Sequence, residues 1–282
     1  MHPLLLGIFG GFIAGAAITA DFERAAAREL QATLGKGANV KIRTRASFGI
    51  VQGEFVAVRI EASGFSAKGL PLFTEPERSH AGKIDRLELN LHDFMLRGLT
   101  VSKLEATIPH CRYDRALALG KKRFRLSESG EGPGRVEVEG KELAAFALRK
   151  YKEVTELHFD LRDDRCTVDG VAQILFVKAP FHAEGRLRSP DGSKIELTDA
   201  MISFGGKAAS PSASDGILKA LNPVVDLDRD LALHGAMRIE SISLRDQRLI
   251  VGGKARIPDL PEENQENARK VSDKRVLSLP IR

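Results

Sequence analysis

The feature that most constrains this chain is a segment written twice. "LRDDRCTVDGVAQI" runs from Leu161 to Ile174, and "LRDQRLIVGGKARI" runs from Leu244 to Ile257, with eight of the fourteen positions identical. In the second copy Leu249, Val251, Gly253, Ala255 and Ile257 alternate with Ile250, Gly252, Lys254 and Arg256. In the first copy Cys166, Val168, Gly170, Ala172 and Ile174 hold the matching parity. A period of two predicts strands with one buried face. Each strand follows a polar turn, "RDDR" or "RDQR", where Asp is favoured because its side chain bonds the backbone just downstream. Leu157, Phe159 and Leu161 alternate before the first turn, so each copy reads as a β-hairpin. Before the second turn the parity slips from Met237 and Ile239 to Ile242 and Leu244, which predicts a bulge near Ser241. The apolar face mixes Gly and Ala with Val and Ile. Such a face lets a helix or a ligand approach closely, and helix-on-sheet packing is the simpler account.

The rest of the chain organises around these hairpins. Residues 21–34, "DFERAAARELQATL", predict a helix with Phe22, Ala26, Leu30 and Leu34 on one face and Gly35 as its stop. Strand-like alternation follows at Val40 and Ile42, from Phe55 to Ile60, at Ile84 to Leu91, and in "LTVSKLEATI". Residues 65–83 form a long loop, and "GKKRFRLSESGEGPG" reads as an exposed hairpin or loop. Residues 141–152, "KELAAFALRKYK", predict a helix whose apolar arc is wider than the roughly 100° stripe of a surface helix. It needs cover on more than one side. A third helix, "SDGILKAL", is expected to start at a Ser214 or Asp215 cap and to stop at "NP". Residues 259–282 read as a polar tail, with "RVLSLPIR" docking as a short strand. The order predicts an α+β fold: an elongated, bent, mostly antiparallel β-sheet wrapped around one or two helices over residues 21–258, preceded by an N-terminal apolar helix.

That N-terminal run, "PLLLGIFGGFIAGAAITA" from Pro3 to Ala20, has eighteen residues without charge. As a helix it spans roughly 27 Å, the short limit for crossing a bilayer. Gly7, Gly11 and Gly15 give a GxxxGxxxG spacing suited to helix packing in a membrane. Ala14, Ala16 and Ala20 also offer imperfect cleavage sites for a secretory signal, behind an n-region of only "MH". An uncleaved anchor over residues 1–20 is the preferred reading over a cleaved signal. No Cys lies close enough to this run for lipidation. Arg24 and Arg28 follow the run and no Lys or Arg precedes it, so the positive-inside rule would hold the body in the cytoplasm. That conflicts with export, and both topologies stay open.

Composition narrows the partners. The chain of 282 residues is 43% hydrophobic and 29% charged, as in ordinary globular proteins. A formal charge of +5 suits an anionic membrane surface or nucleic acid and is specific to neither. The aromatic residues do not interleave with basic ones, which argues against nucleic acid. Cys111 and Cys166 could form one disulfide in an oxidising compartment. Cys166 aligns with Leu249 in the repeat, which reads instead as a small buried hydrophobe.

Six stretches together resemble a known family: the apolar span ending "ADFERAAAREL"; "SFGIVQGEFVAVRIEASGF"; "RVEVEGKELAAFALRKY"; "LRDDRCTVDGVAQI" with "PFHAEGRLRS"; "ILKALNPVVDLDRDL"; and "IESISLRDQRLIVGGKARI". This layout, over roughly residues 5–257, is similar to the LmeA-like family of bacterial envelope phospholipid-binding proteins. That family in turn looks related to the tubular lipid-binding proteins, in which a coiled sheet wraps a long helix and holds acyl chains. The resemblance implies phospholipid binding at the cell envelope, membrane-anchored or periplasmic, and it carries over no catalytic motif. The basic "GKKRFR" loop, the polar tail and the near-uncharged n-region depart from the family's pattern.

No other chemistry stands out. The seven His show no metal-ligand spacing, "GFSAKG" lacks the GxSxG nucleophile pattern, and "DLDRD" reads as a solvated loop. No metal, cofactor or catalytic residue is expected. The groove expected from the residues uses Leu143, Phe146, Ala147 and Leu148 on the central helix, and Ile217, Leu218 and Leu221 on the later one. Val168, Ala172, Val251 and Ala255 would supply its hairpin wall. Lys121, Lys122, Arg123 and Arg125 are the expected contacts to lipid phosphates, at about 1 kcal/mol each near an anionic surface. The alternatives are a membrane-tethered module that docks another envelope protein, and a hydrolase with an unrecognised site.

Overall fold

The alternating segments become a nine-stranded and a six-stranded sheet in a computed structural model that describes residues 3–174 and 177–261, with side chains from Ala17 onward except those of Ile174, Val177 and Ala220. The first sheet begins with β1 (Asn39–Ala46), β2 (Glu54–Ser63), β3 (Ser66–Ala67), β4 (Gly82–Leu96) and β5 (Leu99–Tyr113). It continues with β6 (Leu126–Glu128) and β7 (Gly132–Glu139). The second holds β8 (Val154–Arg162), β9 (Arg165–Ile174), β10 (Val177–Arg188), β11 (Lys194–Phe204), β12 (Lys207–Ala208) and β13 (Val225–Asp226). The chain then returns to the first sheet with β14 (Met237–Arg245) and β15 (Arg248–Ala255). The helices are α1 (Pro3–Leu34), α2 (Arg115–Gly120), α3 (Gly140–Lys150) and α4 (Pro211–Leu221). The main path of the first sheet is β1-β2-β4-β5-β7-β15-β14, curled into a half-barrel. The pairs are antiparallel except β2 with β4 and β3 with β4. The single bent sheet expected from the alternation is therefore two sheets, and α3 packs on β5 and β7 of one and on β8 of the other.

The curl has a local cause. β4 points Leu87, Leu89 and Leu91 inward, then Phe94 and Leu96, with the change of parity at Asp93, whose φ is 48°. β5 changes parity opposite it, from Leu99 and Val101 to Leu104, Ala106 and Ile108. The register is the same on both sides, Leu91 with Leu104 and Phe94 with Val101. Both strands thus bend together and keep their apolar residues on the concave face. A second left-handed residue, His110 (φ 54°), precedes the inward Cys111 and Tyr113.

α1 packs within this curl. Phe22 meets Phe55, Phe124 and Tyr113 with ring centroids 4.6, 5.2 and 5.5 Å away. Such aromatic groupings add to simple area burial. The helix stops at Gly35 as predicted, where φ is 93° and the amide donates to Gln31 O at 2.9 Å. The apolar run and the amphipathic 21–34 stretch lie on this one helix. Among the described residues no helix is long and apolar enough to cross a membrane. The side chains of residues 1–16, most of the expected anchor, lie outside the described residues, as do residues 262–282 with their expected terminal strand.

The repeat joins the two sheets. Each copy is a hairpin, β8–β9 in the second sheet and β14–β15 in the first. Each turns through two left-handed residues, Asp163–Asp164 and Asp246–Gln247, as two-residue hairpins of this twist require. The turns interlock reciprocally. Leu244 N donates to Asp164 Oδ1 at 3.1 Å, and Leu161 N donates to Gln247 Oε1 at 3.1 Å. Asp164 and Gln247 occupy equivalent places in the two copies, and so do Leu161 and Leu244. Gln247 O also accepts the Gly140 amide at the start of α3 at 2.8 Å. The predicted bulge is present, with a register shift between Ile239 and Ser241.

Three details differ from expectation. α4 starts a turn earlier than read: Ser210, not Ser214 or Asp215, caps it by accepting the Ala213 amide, with Pro211 as the first helical residue. "GKKRFRLSESGEGPG" contributes β6 and the start of β7, and its Phe124 is buried. "DLDRD" is no solvated loop: Asp226 is 8% exposed and accepts the Asp228 and Arg229 amides, while Asp230 pairs with Lys150 at 2.6 Å. Cys111 and Cys166 are both free and buried, in separate sheets, as the reading of Cys166 as a small buried hydrophobe expects. Burial pushes each thiol up to about 12.

Candidate functional site: an apolar cavity under the curled sheet

The concave face of the first sheet is not filled. An empty volume of about 1270 Å³, open solvent at its mouth included, lies against it. The wall runs from Ile60 on β2, across Leu89 on β4, Leu104 on β5, Val136 on β7 and Val251 on β15, to Met237 on β14. Five inter-strand spacings make that wall roughly 24 Å wide. One acyl chain occupies half of a bilayer's hydrocarbon core, about 15 Å, so a chain lying across the strands fits. Two small residues of adjacent strands border the cavity, Ala106 on β5 paired with Gly134 on β7.

The other sides are equally apolar. Leu30 and Leu34 of α1 and Leu143 of α3 close the floor, and Leu227, Leu231 and Leu233 cover another side. Leu70, Pro71 and Leu72 form a strap from the long loop after β3. The strap is pinned at Thr74, which is 1% exposed. Thr74 N donates to Pro258 O at 2.9 Å, Thr74 Oγ1 donates to Asp259 Oδ1 at 2.5 Å, and Leu260 N donates back to Thr74 O at 3.0 Å.

Charge is almost absent. Among the described residues that border the cavity only Glu105, Arg135 and Arg256 are charged, and none is Ser, Thr, Cys, His or Tyr. Glu105 and Arg135 have the parity opposite to their inward neighbours, so their side chains point to the convex face. Arg256 is exposed at the edge, its Nε donating to Gly235 O at 3.1 Å. Such a wall offers a ligand dispersion and dehydration alone. Among the described residues no group of three His, Cys, Asp or Glu is placed to hold a metal ion.

The residues expected to form a groove divide between two places. Leu143, Val251 and Ala255 border the large cavity. Ala147, Val168 and Leu221 border a second, smaller one under the second sheet, with an empty volume of about 410 Å³, open space included. Phe146 is buried in the core and borders neither. Ala172, Ile217 and Leu218 are half-buried against the core, and Leu148 is half-buried away from both cavities. The larger wall, on β2, β4 and β5, was missed. Its signal was the Leu87-Leu89-Leu91 alternation, read as a strand without a ligand-facing role.

The expected headgroup cations lie beside α1. Lys122 pairs with Asp21 at 3.1 Å, Arg125 pairs with Glu75 at 3.0 Å and with Glu29, and Arg123 lies 4.0 Å from Glu29. Lys121 is exposed. Arg125 borders a small void that shares Leu30, Ile60, Pro71 and Leu72 with the large cavity.

Residues 13–254 match the model of a family described as LmeA-like phospholipid-binding. No curated protein and no solved structure matches the chain.

Proposed function

The chain belongs to the LmeA-like phospholipid-binding family, and on that premise we propose that it is a non-enzymatic phospholipid carrier of the bacterial cell envelope, holding acyl chains in the large cavity. The observation that carries this reading is the wall itself: a roughly 24 Å span of Leu, Ile, Val, Ala and Gly with its charged side chains turned outward. Burial of acyl methylenes at about 0.8 kcal/mol each supplies affinity without any directional contact. A headgroup would remain near the mouth, within reach of the exposed Arg256. The apolar run at residues 3–20 would keep the carrier at a membrane, where it takes up and returns lipid.

The test is lipid extraction and native mass spectrometry of the full chain purified from membranes. Stoichiometric phospholipid is expected, with transfer of labelled lipid between vesicles on addition of protein. Protein free of lipid that also fails to move label would overturn the reading.

A further inference from the structure

On three different elements, neighbouring residues border the one cavity and the other. On α3, Leu143 borders the large cavity and Ala147, one turn on, borders the small one. On β11, Ile195 borders the large cavity and Leu197, the next residue of the same parity, borders the small one. Before and within β13, Val225 faces the large cavity and Val224 the small. One helical turn is about 5.4 Å, two strand residues span about 6.7 Å, and adjacent strand residues point to opposite faces, so each step from one cavity to the other is about the width of a single side chain. The partition residues Leu143, Ile195 and Val225 are 0, 3 and 1% exposed.

The small cavity is of the same chemistry as the large one. Its border is Ala, Val, Leu and Phe, with Tyr151 as the one residue bearing a polar side-chain atom. The Tyr151 hydroxyl is already committed, donating to Leu221 O and lying 2.9 Å from Pro223 O. An apolar void without polar partners stays dry and is open to an apolar guest. The large cavity supplies such a guest under the proposed lipid binding, on which this inference rests.

We propose that the small cavity under the second sheet is an acyl-tail subsite. The methyl end of a long acyl chain passes the Leu143–Ile195–Val225 partition and occupies it, while shorter chains end in the large cavity. The void then sets the acyl-length preference, with Ala147 and Val168 as specificity-determining residues.

The test uses the full chain with dimyristoyl- and distearoyl-phosphatidylglycerol offered together in detergent micelles, the bound ratio being read by native mass spectrometry. Ala147→Leu and Val168→Leu each put methyl groups into the void. Each methylene denied burial lowers affinity about fourfold, so exclusion of two should move the ratio roughly fifteenfold toward the shorter lipid. Leu143→Ala removes the partition from the other side and should move it toward the longer one. This variant carries the test if either filling variant fails to fold. An unchanged ratio in the folded filling variants, with melting temperature unchanged or raised, would show the void to be a packing gap: the subsite falls while lipid binding stands. An unchanged ratio in Leu143→Ala sinks it equally. If the wild type takes up neither lipid, the carrier reading falls and the subsite with it.

Discussion

Gly170 and Gly253 are the same residue of the repeat, one in each sheet, and their surroundings differ. Both lie against the strand that carries a bulge. A Cβ on Gly170 would come within 2.7 Å of Glu156 O, and one on Gly253 within 2.0 Å of Arg238 O. The register shifts lie beside these carbonyls, between Val154 and Glu156 and between Ile239 and Ser241. The glycine therefore belongs to the bulged hairpin in both copies. The strand on the other side decides the rest. Gly170 pairs with Phe181, whose ring stands 2.7 Å from where the Cβ would be. Gly253 pairs with Gly134, which pairs in turn with Ala106. One half is nearly filled by Phe159 and Phe181, and the other is left open. The repeat supplies two equivalent walls, and their neighbours make one half nearly solid and the other hollow.

The largest effect that would sharpen this contrast is truncation of the filler. Phe181→Ala should cost about 3–5 kcal/mol, because the ring is 7% exposed and its loss adds to an existing void. Leu104→Ala should cost less than about 2 kcal/mol, because that side chain is half-buried and already faces open space. Urea denaturation of both variants measures the difference. Equal losses would mean that the two halves are equally packed.

The joint between the halves comes next. Asp164→Ala strips the Leu244 amide of its acceptor, and Gln247→Ala does the same to Leu161. An amide left unpaired in a buried place costs about 1–3 kcal/mol. Because the two side chains close one joint, their effects should couple by more than about 0.5 kcal/mol in a double-mutant cycle. Strict additivity would show the turns to be independent and the reciprocal pairing incidental.

The parts of the molecule that could be read from sequence are those with local causes. The two hairpins follow from alternation around "RDDR" and "RDQR", the bulge from the slip between Ile239 and Ile242, and the end of α1 from Gly35. The site was only half legible. Leu143, Val251 and Ala255 were found because they lie on strongly patterned elements. The wall on β4 and β5 was not, because its inward residues change parity at Asp93, so the run does not look like one face. Ile217 and Leu218 share an apolar helical face with Leu221, yet α4 packs against β11 of the second sheet, away from the large cavity. Which strands become neighbours is a property of the whole chain. Gly134 pairs with Gly253, and no spacing in the sequence announces the pair. The partners of the basic loop were not legible for a similar reason: the acids it pairs with, Asp21, Glu29 and Glu75, lie far away in sequence.

A smaller effect on stability separates hollow from solid directly. Ala255→Phe places a ring in the large cavity, where Ala255 is half-buried. It should change stability by less than about 1 kcal/mol while lowering co-purified lipid severalfold. Gly170→Ala adds one methyl to the filled half and should cost about 1–3 kcal/mol by overpacking against Phe181 and Glu156 O. Paired melting and lipid-content measurements check both. Ala255→Phe with full lipid occupancy and a large loss of stability would invert the comparison.

The smallest expected effect is an absence of reaction. Cys166 stands in the filled half where Leu249 stands in the hollow one, and both are almost wholly buried. Desolvation is the main cause that holds the Cys166 thiol near 12, with the Asp160 carboxylate pushing the same way. At pH 8 a thiol of that kind is about one part in ten thousand thiolate, and only the thiolate is nucleophilic. Alkylation of the native protein by iodoacetamide should therefore be slower than that of a free thiol by orders of magnitude, and denaturant should release two thiols per chain. The linkage runs in the matching direction. A raised thiol pKa stabilises the folded state fully below the unfolded value of about 8.5, and that contribution is lost as pH rises from there toward 12. Cys111 is raised to about 12 by burial in the first sheet, and its backbone and Ser129 hydrogen bonds oppose this. The two thiols thus report on the two sheets separately. If the half around Phe181 is solid, Cys166 becomes reactive only with global unfolding, along the same urea curve as the circular dichroism. Reaction of Cys166 well before that transition would place the loose packing in the second sheet and leave Phe181 no special filling role.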